Sequence, residues 1–143
     1  MNRQYLKAYG IALATLIVID GLWITFVAGP LFQRELAVIW APELRIVPAL
    51  LFYLGYPAGL VALALQPRPA SRARAAGRGG IMGLVAYGVY DLTNLATLAA
   101  WQTHLAALDM AFGMSVSAAM GALAWGALAA PATPASAVVA TQR

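Results

Sequence analysis

Four apolar runs, each long enough to cross a lipid bilayer, dominate this 143-residue sequence. They cover about 5–28, 46–65, 79–101 and 105–130. A helix needs about 20 residues to cross about 30 Å of hydrocarbon, whereas the strands of a membrane barrel would be about 10 residues with strict alternation of apolar and polar side chains. The runs therefore predict an all-α fold, a four-helix transmembrane bundle that occupies residues 1–130 as one domain.

The composition agrees with a membrane protein. Hydrophobic residues make up 62% of the chain and charged residues only 10%, against about 25% charged residues in a typical soluble domain. The first run follows Arg3 and Lys7 as a secretion signal would, but it is long for a signal core, it contains Asp20, and "FVAGP" is a poor cleavage site. We therefore expect a retained first helix.

The basic residues predict the orientation in the membrane. Arg3 and Lys7 precede the first run, four arginines lie in the loop "QPRPASRARAAGRGG", and Arg143 ends the chain. Four spans place these three segments on one side, whereas the other side has only Arg34 and Arg45, offset by Glu35 and Glu43. Cytoplasmic segments are enriched in Lys and Arg. We expect both termini in the cytoplasm of a bacterium, with the chain crossing its inner membrane several times. The same placement explains the net charge of +4 without a nucleic-acid partner.

Polar residues interrupt these apolar runs at similar depths. The third run, "LVAYGVYDLTNLATLAAW", holds Tyr87, Asp91 and Asn94 at helical spacing on one face. The other three runs carry polar or aromatic residues in the half of the membrane opposite the basic segments: Asp20, Trp23, Tyr53, Tyr56 and Asp109. Because a carboxyl group facing lipid costs several kcal/mol, we expect these faces to meet inside the bundle.

The predicted cluster contains acidic residues without basic partners. The runs contain three aspartates, but the only Lys or Arg among them is Lys7, near the cytoplasmic end. Ionised carboxylates that lie close together away from water repel each other, so either one of them is protonated at neutral pH or a cation joins them. Intramembrane ionisable residues usually mark functional sites, although buried polar groups also hold membrane helices together. We interpret these eight residues as a ligand site.

Several stretches resemble a known family. "GLVAYG" followed by "YDLTNLATL", "IDGLW" in the first run, "FYLGYPAGLVALALQP" in the second and "LDMAFG" in the fourth are similar to DUF2177, a family of small bacterial integral membrane proteins. The resemblance covers the chain from about Tyr5 to Ala127 and implies a four-helix inner-membrane protein. It implies no reaction or cofactor, so function has to be argued from the site.

Three functions are compatible with the sequence. The first is binding of, or action on, a lipid or lipophilic small molecule, with Asp91 as a protonated acid, Asn94 orienting it and Asp20 or Asp109 as the second carboxyl. The second is a small proton-coupled transporter that works as a dimer, in which Asp20 and Asp91 alternate between proton and substrate. The third is a structural subunit. We rank them in this order and leave open whether the chain is an enzyme.

The remaining features have simpler interpretations. Patterns of small residues such as Gly79 with Gly83, and Gly113 with Ser117, predict close helix contacts within the bundle or between subunits of a homo-oligomer. The only histidine, His104, has no second nitrogen ligand, so no metal site is expected. Membrane lipids are the expected surroundings. The loop from Arg68 is expected to be flexible, and the Pro- and Ala-rich tail, 131–143, to be disordered.

Overall fold

The chain folds into four helices that pack as a bundle. The computed structural model describes residues 3–128, and within that range it contains helices and no strands. Helix α1 extends over Arg3–Glu35, α2 over Ile46–Leu63, α3 over Arg72–Thr97 and α4 over Thr103–Trp125. The predicted all-α, four-helix fold is confirmed. The last helix was predicted to extend to 130, but it ends at Trp125, because residues 126–128 form a turn. The tail 131–143 lies outside the described residues.

Three of these helices are long and apolar enough to cross a membrane: α1, α2 and α4. Helix α3 is less apolar because its first turns carry Arg72, Arg74 and Arg78 and its inner face carries Tyr87, Asp91 and Asn94. Its outer face is nevertheless a continuous apolar stripe of exposed side chains: Ile81, Val85, Val89 and Leu92. Residues spaced by three or four positions lie on one side of a helix. Tyr87, Asp91 and Asn94 are thus directed into the bundle, and the stripe on the opposite side is apolar.

Helix α1 continues past the predicted end at Ala28 because it changes its winding there. Residues Ile24–Ala28 form a π-helical turn, in which the Gly29 N–H bonds to the Ile24 carbonyl, and α-helix resumes over Gly29–Glu35. A proline has no N–H to donate and its ring clashes with the carbonyl one turn before it. Widening the turn just before Pro30 accommodates both effects, and a Cβ on Gly29 would overlap the Ile24 carbonyl. The helix therefore reaches Glu35.

The bounds of α3 also differ from those expected. It begins at Arg72 rather than at residue 79, because the Ser71 side chain accepts a hydrogen bond from the Arg74 N–H at 3.2 Å and caps the helix. It ends at Thr97 rather than at residue 101, since Leu98 is extended. The preceding loop, expected to be flexible, is held in place: Arg68 donates to the Leu128 carbonyl at 3.0 Å and lies over the Trp125 ring.

Small residues bring α3 and α4 into close contact. A Cβ on Gly79 would overlap the Ser117 carbonyl, and a Cβ on Gly83 would overlap both the Gly113 carbonyl and the Ser117 side chain. Gly121 packs in the same way against the backbone of Ala75. Small residues let helix backbones approach closely in membrane proteins. The small-residue faces that were expected to serve the bundle or an oligomer are used here between two helices of one chain.

The interior divides into two parts. Around the end that carries the arginine-rich loop, apolar side chains of α1, α2 and α4 form a filled core, with Leu16, Leu60, Val116 and Met120 among its members. A smaller cluster at the opposite end contains Leu36, Trp101, Leu105 and Ala106. The buried polar and charged residues of the described chain are Asp20, Asp91, Asp109 and Ser117. The three aspartates lie toward the end of the bundle that is remote from the arginine-rich loop.

Candidate ligand site

A cavity of about 860 Å³ occupies the bundle at the end remote from the arginine-rich loop. All four helices and the segment between α1 and α2 contribute to it. Its aromatic and polar lining residues are Asp20, Trp23, Phe32, Trp40, Phe52, Tyr56, Tyr87, Tyr90, Asn94, Trp101 and Asp109. Apolar side chains such as Leu36, Ile39, Leu44 and Leu98 complete the wall. We call this space the aromatic cavity.

Asp20 joins α1 to α2 at the edge of the cavity. Its side chain is buried, and its Oδ2 atom accepts a hydrogen bond from the Tyr53 hydroxyl at 2.5 Å. Tyr53 is not among the residues that line the cavity. It therefore acts on the site through Asp20, by satisfying one of the two carboxyl oxygens.

Asp109 approaches the cavity from α4 and lies near Trp23 of α1. The Trp23 indole N–H interacts with the Asp109 carboxyl but does not reach hydrogen-bond geometry, since Trp23 Nε1 has no hydrogen-bond partner among the described residues. The indole ring is fixed by Phe112, on which it stacks with a centroid distance of 4.4 Å and an interplanar angle of 5°. The Trp23 indole N–H is therefore held near the Asp109 carboxyl without forming a hydrogen bond to it.

Tyr87 lies at the centre of the site. It is close enough to Asp20, Asp109 and Tyr56 to interact with each electrostatically. Its ring rests directly on the backbone of Gly113, where a Cβ would overlap it. The neighbouring Tyr56 hydroxyl shares a hydrogen bond of 2.6 Å with Ser117 Oγ. One glycine on α4 therefore lets an aromatic ring of α3 enter the space between the helices.

Asp91 is placed behind this surface and does not line the cavity. Its side chain is 0% exposed, and neither carboxyl oxygen has a hydrogen-bond partner in the described chain. The Trp101 indole N–H interacts with this carboxyl but, within the described chain, it too is without a hydrogen-bond partner. Buried polar groups nearly always have partners, so an unsatisfied pair of this kind calls for an explanation.

The three carboxyl groups form a chain of neighbours. Asp109 is close enough to interact with Asp20 on one side and with Asp91 on the other. Among the described residues that line the cavity there is no Lys, Arg or His. His104, at the start of α4, contacts the Glu35 carboxylate at 3.3 Å, and Arg34, at the end of α1, contacts the same carboxylate at 2.9 Å. Both basic residues are therefore paired with Glu35 and not with the three aspartates.

The structure brings together the residues that the sequence singled out, with two qualifications. Six of them line the cavity: Asp20, Trp23, Tyr56, Tyr87, Asn94 and Asp109. Tyr53 bonds to one of those six, and Asp91 lies behind the wall as a neighbour of Asp109. Their role in binding a ligand remains a prediction.

Sequence reasoning missed other parts of the wall. Tyr90 shares the helical face of Tyr87 and Asn94, so its spacing was a usable signal. Phe32, Leu36 and Trp40 follow the π-helical turn and reach the cavity only because α1 extends beyond Ala28. No periodicity in the sequence marks that extension, because it depends on how one backbone turn adapts to Pro30.

Comparison with known proteins identifies a family but no characterised relative. The family model described as "Predicted membrane protein (DUF2177)" matches residues 5–126 of the chain. The resemblance drawn from the "YDLTN" region and its companion motifs is thereby confirmed. No curated protein and no solved structure matches the chain.

Proposed function

The chain belongs to the DUF2177 family of predicted membrane proteins, and from that premise we propose that it binds a lipid or lipophilic small molecule in the aromatic cavity. The observation that carries this proposal is a cavity of about 860 Å³ whose wall is mostly aromatic and aliphatic, with Asp20, Asn94 and Asp109 set into it. Sites for small molecules usually have volumes of about 300–1,000 Å³ and combine apolar walls with a few polar groups.

The surroundings of the cavity favour a ligand that arrives from the membrane. The outward faces of α1 and α2 are exposed and apolar, with Leu22 and Phe26 on one helix and Leu51 and Leu54 on the other. A molecule dissolved in lipid therefore meets exposed apolar side chains on the two helices that flank the cavity. We place the chain in the bacterial cytoplasmic membrane, with the cavity in the outer half of the bilayer because the arginine-rich end would face the cytoplasm.

Transport receives less support from the same packing. Between the cavity and the arginine-rich end the described interior is filled by Ala12, Leu16, Leu60 and Met120, all fully buried. A carrier needs a polar or open route to both sides, and intramembrane relays are built from ionisable or hydroxyl groups. Ser117 is the buried polar residue nearest to this core, and it is already bonded to Tyr56. Binding on one side fits this arrangement better than alternating access.

The test is whether the full chain retains a molecule that depends on the cavity. The chain would be purified from membranes in mild detergent and studied by native mass spectrometry with identification of the released compounds. Ala86 lines the cavity, so Ala86→Phe fills it; Ala96, exposed on the same helix, gives the control Ala96→Phe. We expect wild type and Ala96→Phe to retain a defined lipophilic molecule and Ala86→Phe to lose it. Identical contents in all three proteins would refute the proposal.

A further inference from the structure

The charges around the aromatic cavity specify the chemical class of its ligand more narrowly. Resting on the function proposed above, we propose that the bound molecule is a lipophilic cation, an amine or quaternary ammonium attached to an apolar body. Three observations support this, namely the unbalanced carboxyl groups, the unsatisfied polar atoms beside them and the aromatic wall.

The carboxyl groups lack a counter-charge within the described chain. Asp109 interacts with both Asp20 and Asp91, whereas no basic side chain of the described residues lines the cavity. Carboxylates grouped in a low-dielectric environment need protons or a cation to lower their repulsion. A ligand that brings a positive charge supplies that partner and is held by it.

Unsatisfied polar atoms lie in the cavity wall and directly behind it. Among the described residues, the indole N–H of Trp101, which lines the cavity and is 7% exposed, has no acceptor, and both oxygens of Asp91, which lies behind the wall and is 0% exposed, have no donor. A buried donor or acceptor without a hydrogen-bond partner destabilises the folded protein. A cation next to Asp109 would favour ionisation of the carboxyls that line the cavity, Asp20 and Asp109. An amine would in addition donate its N–H groups to their oxygens, whereas a quaternary ammonium would act through its charge alone.

The wall suits an organic cation better than a metal ion. Within residues 3–128 no three carboxylate or imidazole groups lie close enough together to hold a metal. The cavity instead presents the rings of Trp23, Tyr56, Tyr87 and Trp101 beside the carboxyls. Aromatic faces attract ammonium and quaternary ammonium groups, and this attraction is stronger away from water. Leu36, Ile39 and Leu44 offer an apolar wall to the rest of such a molecule.

The test compares probes that share a chain and differ in charge. Radiolabelled dodecylammonium, dodecanol and dodecanoate would be equilibrated with the full chain in a nonionic detergent, and binding to Ala86→Phe would be subtracted as the cavity-independent background. We expect dodecylammonium to bind at least about tenfold more tightly than dodecanol, as an ion pair in a medium of low dielectric implies, and dodecanoate to show no cavity-dependent binding.

Carboxyl variants connect that preference to the site. Asp109→Asn, and separately Asp20→Asn, should bring dodecylammonium down to the affinity of dodecanol, while Glu43→Gln, which removes an exposed carboxylate outside the cavity wall, should leave the preference unchanged. Helix content, measured by circular dichroism, identifies a variant that fails to fold. If one of the two aspartate variants fails, the binding measured with the other tests the proposal.

The outcomes separate the two proposals. Equal cavity-dependent binding of dodecanol and dodecylammonium, or a preference for dodecanoate, would overturn the cation and leave the lipophilic site standing. A cation preference that survives both Asn variants would also overturn it, since the carboxyls would not be its cause. Absence of cavity-dependent binding for all three probes would overturn both proposals.

Discussion

Among the individual residues, Asp91 is the hardest to explain, because its carboxyl group is buried in the bundle and has no hydrogen-bond partner in the described chain. Asp91 is fully buried, and its neighbour Trp101 has a free indole N–H. Had Asp91 been retained to hold helices together, its oxygens would be expected to bond across a helix interface, as those of Asp20 do with Tyr53. Asp20 therefore links two helices through its hydrogen bond to Tyr53, whereas Asp91 makes no such link.

Replacing Asp91 tests that contrast. Because its oxygens contribute no hydrogen bond, Asp91→Leu should leave the bundle as stable as wild type or stabilise it by about 1–3 kcal/mol, the cost of an unsatisfied buried polar group. Unfolding by sodium dodecyl sulfate, followed by circular dichroism, measures the change. Strong destabilisation by Asp91→Leu would show that the carboxyl is structural and would favour the interpretation as a packing subunit.

The opposite result is expected for Tyr53. Tyr53→Phe removes the hydroxyl that donates to Asp20 at 2.5 Å and leaves that carboxyl oxygen without its donor. Side-chain hydrogen bonds between membrane helices contribute about 0.6–2 kcal/mol, so a loss of that size is expected in the same unfolding assay. Tyr5→Phe, near the start of α1, is the matched control and should cost less; equal losses would contradict the assignment.

At the scale of helices, the contact between α3 and α4 positions most of the site. Gly83 and Gly113 let the two backbones meet, and Tyr87 and Asp109 extend from these helices into the same cavity. The polar face of α3 is tolerated because α4 covers part of it, while the exposed stripe from Ile81 to Leu92 remains apolar. One close helix pair therefore accounts for the polar inner face of α3 and for the geometry of the site.

A methyl group at this contact should be costly. In Gly83→Ala the new Cβ overlaps the Gly113 carbonyl and the Ser117 side chain, so α3 and α4 must separate, at a cost of about 1–3 kcal/mol. Gly77→Ala is the control on the same helix, since nothing lies within 4 Å of its Cβ; it should be neutral or stabilising by up to about 1 kcal/mol. Similar effects of the two substitutions in the unfolding assay would argue against the close contact.

The helical elements also show which features a sequence can predict. Apolar length and the spacing of Tyr87, Asp91 and Asn94 depend only on regular helix geometry. These features predicted the four helices and placed Tyr87 and Asn94 in what is one wall of the cavity, whereas Asp91 lies behind that wall. The extension of α1 depends on a single widened turn before Pro30, and the start of α3 depends on the Ser71 cap. Trp101 reaches the site after an extended Leu98, not along the face of α3. Such local departures from regular geometry have no periodic signal.

For the whole molecule, the arrangement of charges predicts its orientation. The loop before α3 and the start of α1 carry most of the cations at one end, and the cavity lies at the other, where Arg34 and Arg45 are offset by Glu35 and Glu43. With Lys and Arg retained in the cytoplasm, the turn between α3 and α4 should face the outside of the cytoplasmic membrane. The cavity would then be filled from the outer leaflet.

The absence of cysteine from the sequence makes this orientation directly measurable. Single cysteines introduced as Gln102→Cys and Ala73→Cys, both at exposed positions, would be treated with a membrane-impermeant maleimide on bacterial cells whose outer membrane has been permeabilised. Gln102→Cys should react, and Ala73→Cys should react only after lysis. The reverse pattern would invert the orientation and place the cavity toward the cytoplasm.

The central claim, that the aromatic cavity holds a lipophilic molecule, is tested most directly by photo-cross-linking. A dodecyl probe with a diazirine at its chain end would be irradiated with the full chain in lipid vesicles, and the labelled peptides mapped by mass spectrometry. Binding in the cavity predicts labels on the wall formed by 32–44 and 86–101 that disappear in Ala86→Phe and persist in Ala96→Phe. Labels confined to the exposed faces of the helices, and equal in both variants, would show that the probe meets only the lipid-facing surface and would contradict the account.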